Sequence, residues 1–165
     1  MPATRHAEAG ILSNAHAAKR EEIVELLTRA YWMEVETAIS YLANAKNLDG
    51  IRAEEIAEIL DEEVDEELGH ARKFAGRIKE LYGTPPGSMD FTAEQASLQP
   101  PADPADVISV IRGVIEAEAG AIAHYNRIIE VCDGLDWATQ DMVIDILRDE
   151  EGHLRRFERF LREFE

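Results

Sequence analysis

Two short stretches of the chain share one pattern: an acid, a Glu, any residue, a Gly and a His. They are EELGH at residues 66–70 and DEEGH at residues 149–153. On a helix, side chains three positions apart lie on one face, so Glu67 would point with His70 and Glu150 with His153. A neighbouring carboxylate and imidazole can hold one edge of a metal ion. Two such edges, facing each other across a helix bundle, could hold two metal ions.

Four long helices are predicted from apolar residues that recur every three or four positions. They cover about 19–48, 52–82, 104–132 and 137–165. Polar residues interrupt each apolar stripe near mid-helix, where a buried carboxylate is costly unless it is paired or bound to a metal. Glu63 interrupts the second stripe, although the acidic run around it would also suit a solvated face. The interrupting residues that we interpret as metal ligands are Glu34, Glu67, His70, Glu118, Glu150 and His153.

The chain repeats one plan twice: a helix with a single core Glu, a turn, and a helix with Glu-x-x-His. Glu34 stands one hairpin arm before Glu67, and Glu118 stands the same way before Glu150. Two hairpins packed about a pseudo-twofold axis would bring the four mid-helix patches together. This ligand set is typical of di-iron and di-manganese carboxylate bundles. Four carboxylates and two imidazoles suit iron or manganese, and they do not suit a structural zinc site.

The segment over 83–103 separates the second and third helices and contains Pro-Pro-Gly and a second Pro-Pro pair. It is long for a helix–helix connection. When extended, it could run the whole length of a thirty-residue helix, about 45 Å. We therefore expect an all-α four-helix bundle over 19–165, in which this crossover joins two antiparallel hairpins. Residues 1–18 would form an N-terminal arm or a short helix.

Capping residues predict where the later elements begin. Asp103 followed by Pro104 predicts the start of the third helix, and Asp136 predicts the start of the fourth. Thr92 with Gln95 could cap one short helical turn within the crossover.

The composition excludes several classes of partner and site. A net charge of −17 argues against nucleic acid and against anionic membrane surfaces. It suits a protein that attracts cations, although from charge alone we favour the simpler explanation that it keeps the protein in solution. Cys132 is the only cysteine, so no internal disulfide and no Cys-rich metal site can form, and a reducing, cytoplasmic setting fits. The first twenty residues do not read as a signal peptide. No stretch is long and apolar enough to predict a membrane-spanning helix.

The sequence resembles the ferritin-like superfamily and, within it, bacterioferritin. Residues 141–153, DMVIDILRDEEGH, are similar to the fourth helix of bacterioferritin. Residues 118–125, EAGAIAHY, are similar to the Glu-x-x-Ala-Ile-x-x-Tyr pattern of these proteins. The resemblance covers roughly residues 20–165, and it implies a ferritin-like fold with a ferroxidase-type dinuclear site.

The resemblance also implies a role for each ligand. Glu67 and Glu150 would bridge both metals and are the predicted catalytic residues. Two further pairs would each complete one iron: Glu34 with His70, and Glu118 with His153. Glu36 remains a rival to the first single Glu, and Glu116 is a weaker rival to the second.

The implied activity is oxidation of Fe(II) by dioxygen or peroxide at two iron ions per chain, in iron homeostasis or protection from oxidants. No haem is expected, because Leu68 stands where bacterioferritin has its haem-ligating Met. The expected assembly is a homo-oligomer, a dimer or larger. No fifth helix is expected, and whether a closed storage shell forms stays open. The alternatives are a manganese catalase or peroxidase and a non-catalytic metal-binding structural dimer.

Metal-bound histidines usually donate their second ring nitrogen to an acid. We therefore predict that Asp149 orients His70 and that Glu66 orients His153, although Glu66 could equally be an ordinary surface acid. His124, beside the third stripe, is expected to be a hydrogen-bonded core histidine and not a seventh ligand. One tyrosine follows each single Glu by two helical turns, and for both we favour core packing over a hydrogen bond to a ligand: Tyr41 and Tyr125.

Overall fold

The computed structural model describes residues 10–165 as a bundle of four long helices. Residues 1–9 of the predicted N-terminal arm lie outside the described residues. The helices are α1 (Ala17–Asn47), α2 (Ile51–Glu80), α3 (Val107–Cys132) and α4 (Trp137–Leu161). Short 3₁₀ turns lie before α1, within the crossover and after α4. The predicted all-α bundle is therefore confirmed, and no strand occurs among residues 10–165.

Tight turns fold the helices into two hairpins, α1 with α2 and α3 with α4. Gly50 and Gly134 lie in these turns with φ of 109° and 73°. Such positive φ values favour glycine, which has no side chain to clash with its own backbone. Asp136 caps α4 as predicted, because its side chain accepts a hydrogen bond of 3.1 Å from the Thr139 backbone N–H.

The crossover runs along α1 from the end of α2 to the α1–α2 turn. In the last third of its path, the Asn44 side-chain amide donates to the Leu98 carbonyl at 2.8 Å. At its end, the Asp49 backbone N–H donates to the Pro104 carbonyl at 2.9 Å. The predicted crossover is therefore present, and it lets α2 and α3 run parallel.

Two predicted boundaries inside this region are wrong. The third helix begins at Val107, where Asp106 accepts a 3.0 Å hydrogen bond from the Ser109 backbone N–H. Asp103 instead closes a turn, because its carbonyl accepts from the Asp106 N–H. The Gln95 side chain does not cap a helical turn. It donates instead to the hydroxyl of Thr37, on α1, at 2.7 Å.

The apolar core is divided into two clusters that leave a polar layer between them. Fully burying each large side chain of this kind contributes about 1.5–3 kcal/mol. The cluster at one end includes Leu27, Phe74, Ile128 and Ile146. The cluster at the other end includes Leu60, Ile111, Val114 and Phe157. No helix within residues 10–165 is long and apolar enough to cross a lipid bilayer.

Candidate metal centre

The polar layer between the two apolar clusters contains the six residues predicted as metal ligands. Each helix contributes from its middle, because one Glu or one Glu-x-x-His pair interrupts its apolar face. All six side chains are buried, with at most 5% of any residue exposed: Glu34, Glu67, His70, Glu118, Glu150 and His153. Since buried charges are costly in isolation, this grouping requires a compensating interaction.

The six side chains form two overlapping sets of potential ligands. In each set, one ligand atom from every residue lies within 4.8 Å of the others. Glu67 and Glu150 belong to both sets. The first set adds Glu34 and His70, and the second adds Glu118 and His153. The arrangement therefore offers two adjacent cation positions with two carboxylates between them.

Around the first position, the Nδ1 atom of His70 faces the carboxylates. It lies 3.0 Å from Glu150 Oε1 and 3.8 Å from Glu34 Oε2. The 3.0 Å pair does not have hydrogen-bond geometry, since both atoms lack a hydrogen-bond partner among the described residues. Glu67 Oε1 is likewise buried and without a partner there.

Three inward-facing atoms therefore lack a hydrogen-bond partner among the described residues: His70 Nδ1, Glu150 Oε1 and Glu67 Oε1. This observation fits a bound cation. Buried nitrogen and oxygen atoms are nearly always hydrogen-bonded, and leaving one unsatisfied costs about 1–3 kcal/mol. A cation coordinated by the three atoms would remove that cost. The donor set, oxygen-rich with two imidazoles, is suited to iron or manganese.

Around the second position, His153 also faces the carboxylates, and here Nδ1 has hydrogen-bond geometry with Glu150. Its Nδ1 atom lies 3.1 Å from Glu150 Oε2, 3.5 Å from Glu67 Oε1 and 3.7 Å from Glu118 Oε1. Both histidines therefore direct Nδ1 inward, and the two halves of the centre follow the internal repeat of the sequence.

The electrostatics of the carboxylates reflect crowding in a buried layer. Burial, together with the charges of Glu34 and Glu150, raises the pKa of Glu67 well above its usual value. Burial and the charge of Glu150 do the same for the pKa of Glu118. The pKa of Glu34 is also raised, first by burial and then by Glu150. Without a cation, burial and mutual repulsion therefore favour the protonated form of these three carboxylates.

Burial lowers the pKa of each of the two histidines, but neighbouring carboxylates raise it by more. Burial alone would lower the pKa of His70, but the Glu150 and Glu34 carboxylates beside it favour the charged imidazole and raise the pKa to about 11. Hydrogen bonding to Glu150 likewise outweighs burial and raises the pKa of His153 to about 9. Burial opposes ionisation of Glu150 as well, yet the His153 and His70 imidazoles beside it lower its pKa to about 2.

The outer nitrogen of each histidine meets an acid from the facing helix. His70 Nε2 lies 3.2 Å from Asp149 Oδ2, and His153 Nε2 lies 3.3 Å from Glu66 Oε2. Both predicted contacts are therefore present. An Nε2–H that donates to a carboxylate leaves the lone pair of Nδ1 directed at the centre, as a ligand requires.

The tyrosines do more than fill the core, contrary to the preferred prediction. The Tyr41 hydroxyl, on α1, donates to Glu118 of α3. The Tyr125 hydroxyl, on α3, donates to Glu34 of α1. The shared spacing from Glu to Tyr was visible in the sequence, but it could not show that each tyrosine serves the glutamate of the other hairpin.

The rival ligands lie elsewhere. Glu36 is buried, but it faces the crossover and accepts hydrogen bonds of 2.8 Å from the backbone N–H groups of both Glu94 and Gln95. Glu116 is exposed. His124 is a hydrogen-bonded core histidine as predicted, with Nε2 donating to the Leu26 carbonyl at 2.8 Å.

Sequence reasoning left one buried acid near the centre without a role. Glu63 is 4% exposed, and its Oε1 accepts a 2.8 Å hydrogen bond from the Arg156 guanidinium. Its place in the apolar stripe was a signal, but the acidic residues around it gave an equally good explanation.

Comparison with known proteins gives a consistent result along nearly the whole chain. The Ferritin family model, described as a ferritin-like domain, matches residues 24–165. The DNA protection during starvation protein of Pyrococcus furiosus is 30% identical over 144 residues, covering 86% of this chain and 77% of that protein. The bacterioferritin of Desulfovibrio desulfuricans is 26% identical over 141 residues, covering 85% and 74%.

Solved structures agree with these matches. A ferritin-like, diiron-carboxylate protein from Bacillus anthracis has a TM-score of 0.77 and 25% identity, over 87% of this chain and 97% of that one. Desulfovibrio desulfuricans bacterioferritin, whose structure is described by its diiron site in different catalytic states, has a TM-score of 0.74 and 25% identity. That match covers 88% of this chain and 81% of the bacterioferritin.

Proposed function

We propose, because this chain belongs to the ferritin-like family, that its buried centre binds two iron ions and oxidises Fe(II) with dioxygen or peroxide. The observation that carries this proposal is the pair of overlapping ligand sets, which share Glu67 and Glu150 and leave inward-facing atoms unsatisfied. The two relatives described by their diiron chemistry favour iron over manganese.

In this proposal, Glu67 and Glu150 would contribute ligands to both positions. Glu34 with His70 would hold one ion, and the corresponding pair from the other hairpin, Glu118 with His153, would hold the second. The iron pair supplies the electrons that reduce the oxidant. The four carboxylates balance the added positive charge, and the two apolar clusters limit access of water to the layer.

The surrounding residues act by holding the ligands in place. Asp149 and Glu66 hold the proton on Nε2 of the two histidines, so that Nδ1 is the nitrogen that would give up its proton to bind an ion. The Tyr41 hydroxyl holds one carboxylate oxygen of Glu118, and the Tyr125 hydroxyl holds one of Glu34. A centre built in this way needs little rearrangement when an ion enters.

The proposed role in the cell is iron homeostasis or protection from oxidants, in a cytoplasmic homo-oligomer. Association is supported by Ile39 and Leu42, which lie on α1 with 57% and 46% of their surfaces exposed. The charge of −17 opposes direct contact with nucleic acid. No haem is proposed, on the ground that Leu68 replaces the methionine of bacterioferritin.

Aerobic titration of the metal-free protein with Fe(II), followed by the absorbance of the ferric product, tests this function. We expect a fast phase that saturates at two irons per chain. Glu118→Ala should lose that phase, whereas Glu116→Ala, an exposed glutamate on the same helix, should keep it. A wild-type protein without a fast phase would reject the ferroxidase proposal, and manganese with peroxide would be tested next.

A further inference from the structure

The pseudo-twofold symmetry of the centre is broken at one buried position. Helices α2 and α4 are antiparallel, and their contacts across the centre are symmetric: His70 with Asp149, and Glu66 with His153. One helical turn before Glu67 stands Glu63. The equivalent residue before Glu150 is Ile146, which is fully buried in the apolar core. At this pair of equivalent positions, a buried carboxylate therefore lies at the His153 end and an apolar side chain lies at the His70 end.

The two carboxylate oxygens of Glu63 differ in their hydrogen bonding. Oε1 accepts the hydrogen bond from Arg156. Oε2 is buried and has no hydrogen-bond partner within residues 10–165. The charge of Glu63 also acts on His153, where it contributes to raising the pKa of the imidazole. Glu63 lies one helical turn from Glu67, and its partner Arg156 lies one turn from His153, so this carboxylate is at the His153 end of the layer.

The counter-ion of Glu63 reaches solvent. The Arg156 side chain is 49% exposed, whereas that of Glu63 is 4% exposed. At the equivalent position on α2, Lys73 pairs with Asp145 at 3.7 Å, and both of those side chains lie at the surface. Of these two equivalent pairs, Glu63–Arg156 is the one that joins a buried carboxylate to a solvent-exposed side chain.

We propose that Glu63 is a cation-binding site through which Fe(II) reaches the position held by Glu118 and His153, and that the arriving cation displaces Arg156. This inference rests on the proposed function. An Fe(II) ion would use the free Oε2 and take over the oxygen that Arg156 occupies, while the guanidinium turns into solvent. Because Ile146 offers no carboxylate at the other end, the two metal positions fill at different rates.

Anaerobic stopped-flow loading with Co(II), followed by its visible absorption, tests this route without relying on oxidase activity. Glu63→Gln keeps the size of the side chain and one acceptor oxygen for Arg156, and it removes the negative charge. We expect about tenfold slower loading, since local charge raises association rates by roughly 10–10³, with two Co(II) ions still bound at the end. Asp145→Asn, in the equivalent surface pair, should load at the wild-type rate.

A second variant separates a cation site from a purely structural ion pair. Arg156→Gln should load at least as fast as wild type, because it removes the group that competes with the cation. Equal slowing in both variants would mean that the pair only holds α2 against α4, and it would overturn the inference. So would a wild-type rate in Glu63→Gln. Failure of the wild-type protein to bind two Co(II) ions would instead refute the dinuclear site itself.

Discussion

At the scale of single residues, Glu34 and Glu118 each accept a hydrogen bond from a tyrosine of the other hairpin. The tyrosine rings also belong to the core: Tyr125 packs against Phe74 with ring centroids 5.4 Å apart. Each tyrosine therefore couples the packing of one hairpin to the orientation of a proposed ligand on the other. Removing the hydroxyl alone separates these two contributions.

Tyr125→Phe should keep the ring in place and release one oxygen of Glu34. We expect metal affinity to fall by about tenfold, which is typical when a group that supports a ligand is lost. The free energy of unfolding of the metal-free protein should change by only about 1 kcal/mol. Calorimetric titration with Co(II) measures the first quantity, and chemical denaturation measures the second.

Tyr31→Phe serves as the control for this variant. Tyr31 lies on α1, outside the centre, with its ring 5.0 Å from that of Trp32. Its substitution should leave metal affinity unchanged. Equal affinities for Tyr125→Phe and wild type would show that the hydroxyl does not support a ligand.

At the scale of elements, the crossover packs directly against α3. A Cβ atom built on Gly113 would lie 2.4 Å from the Ser97 carbonyl oxygen, which belongs to the crossover backbone. The same segment also binds α1, because backbone N–H groups of the crossover donate to the Glu36 carboxylate. The crossover is therefore part of the packed bundle and not a loose connection.

Gly113→Ala should destabilise the protein by about 1–3 kcal/mol, because the methyl group forces the crossover away from α3. Gly120→Ala is the matched control on the same helix, since nothing lies within 4 Å of its Cβ position. It should stabilise by about 0.5–1 kcal/mol through helix propensity. Urea denaturation measures both, and equal effects of the two substitutions would contradict the proposed close contact.

At the scale of the whole molecule, the buried layer makes stability depend on pH and metal. The pKa of His70 is raised from 6.5 to about 11, and that of His153 from 6.5 to about 9. A pKa raised on folding contributes stability that is complete below the unfolded value and is lost as pH rises through the folded value. The raised pKa values of Glu67 and Glu118 act with the same sign.

The melting temperature of the metal-free protein should therefore fall as pH rises from about 6.5 toward about 11. A cation needs the deprotonated ligands, so the stabilisation that it provides should grow over the same range. Thermal denaturation with and without Co(II), at several pH values, measures both trends. A metal-free protein that becomes more stable across this range would contradict the proposed protonation of the layer.

Much of this architecture could be predicted from the sequence. Helices were predictable because their apolar periodicity is local, and the six proposed ligands were predictable because a polar residue in an apolar stripe is visible without knowing its neighbours. The repeated plan of the two hairpins indicated that they would face each other. Asp136 was identifiable as a cap because it stands directly before its helix.

Contacts between distant segments were decided only by the tertiary structure. Glu34 and Glu36 are both buried on α1, and only packing shows that one faces the centre and the other the crossover. Asp103 and Asp106 are both good caps, and the choice depends on where the crossover ends against α1. The partners of the tyrosines and of Glu63 lie on other helices. Side-chain type determines which interactions are possible, but the packing of helices determines which atoms meet.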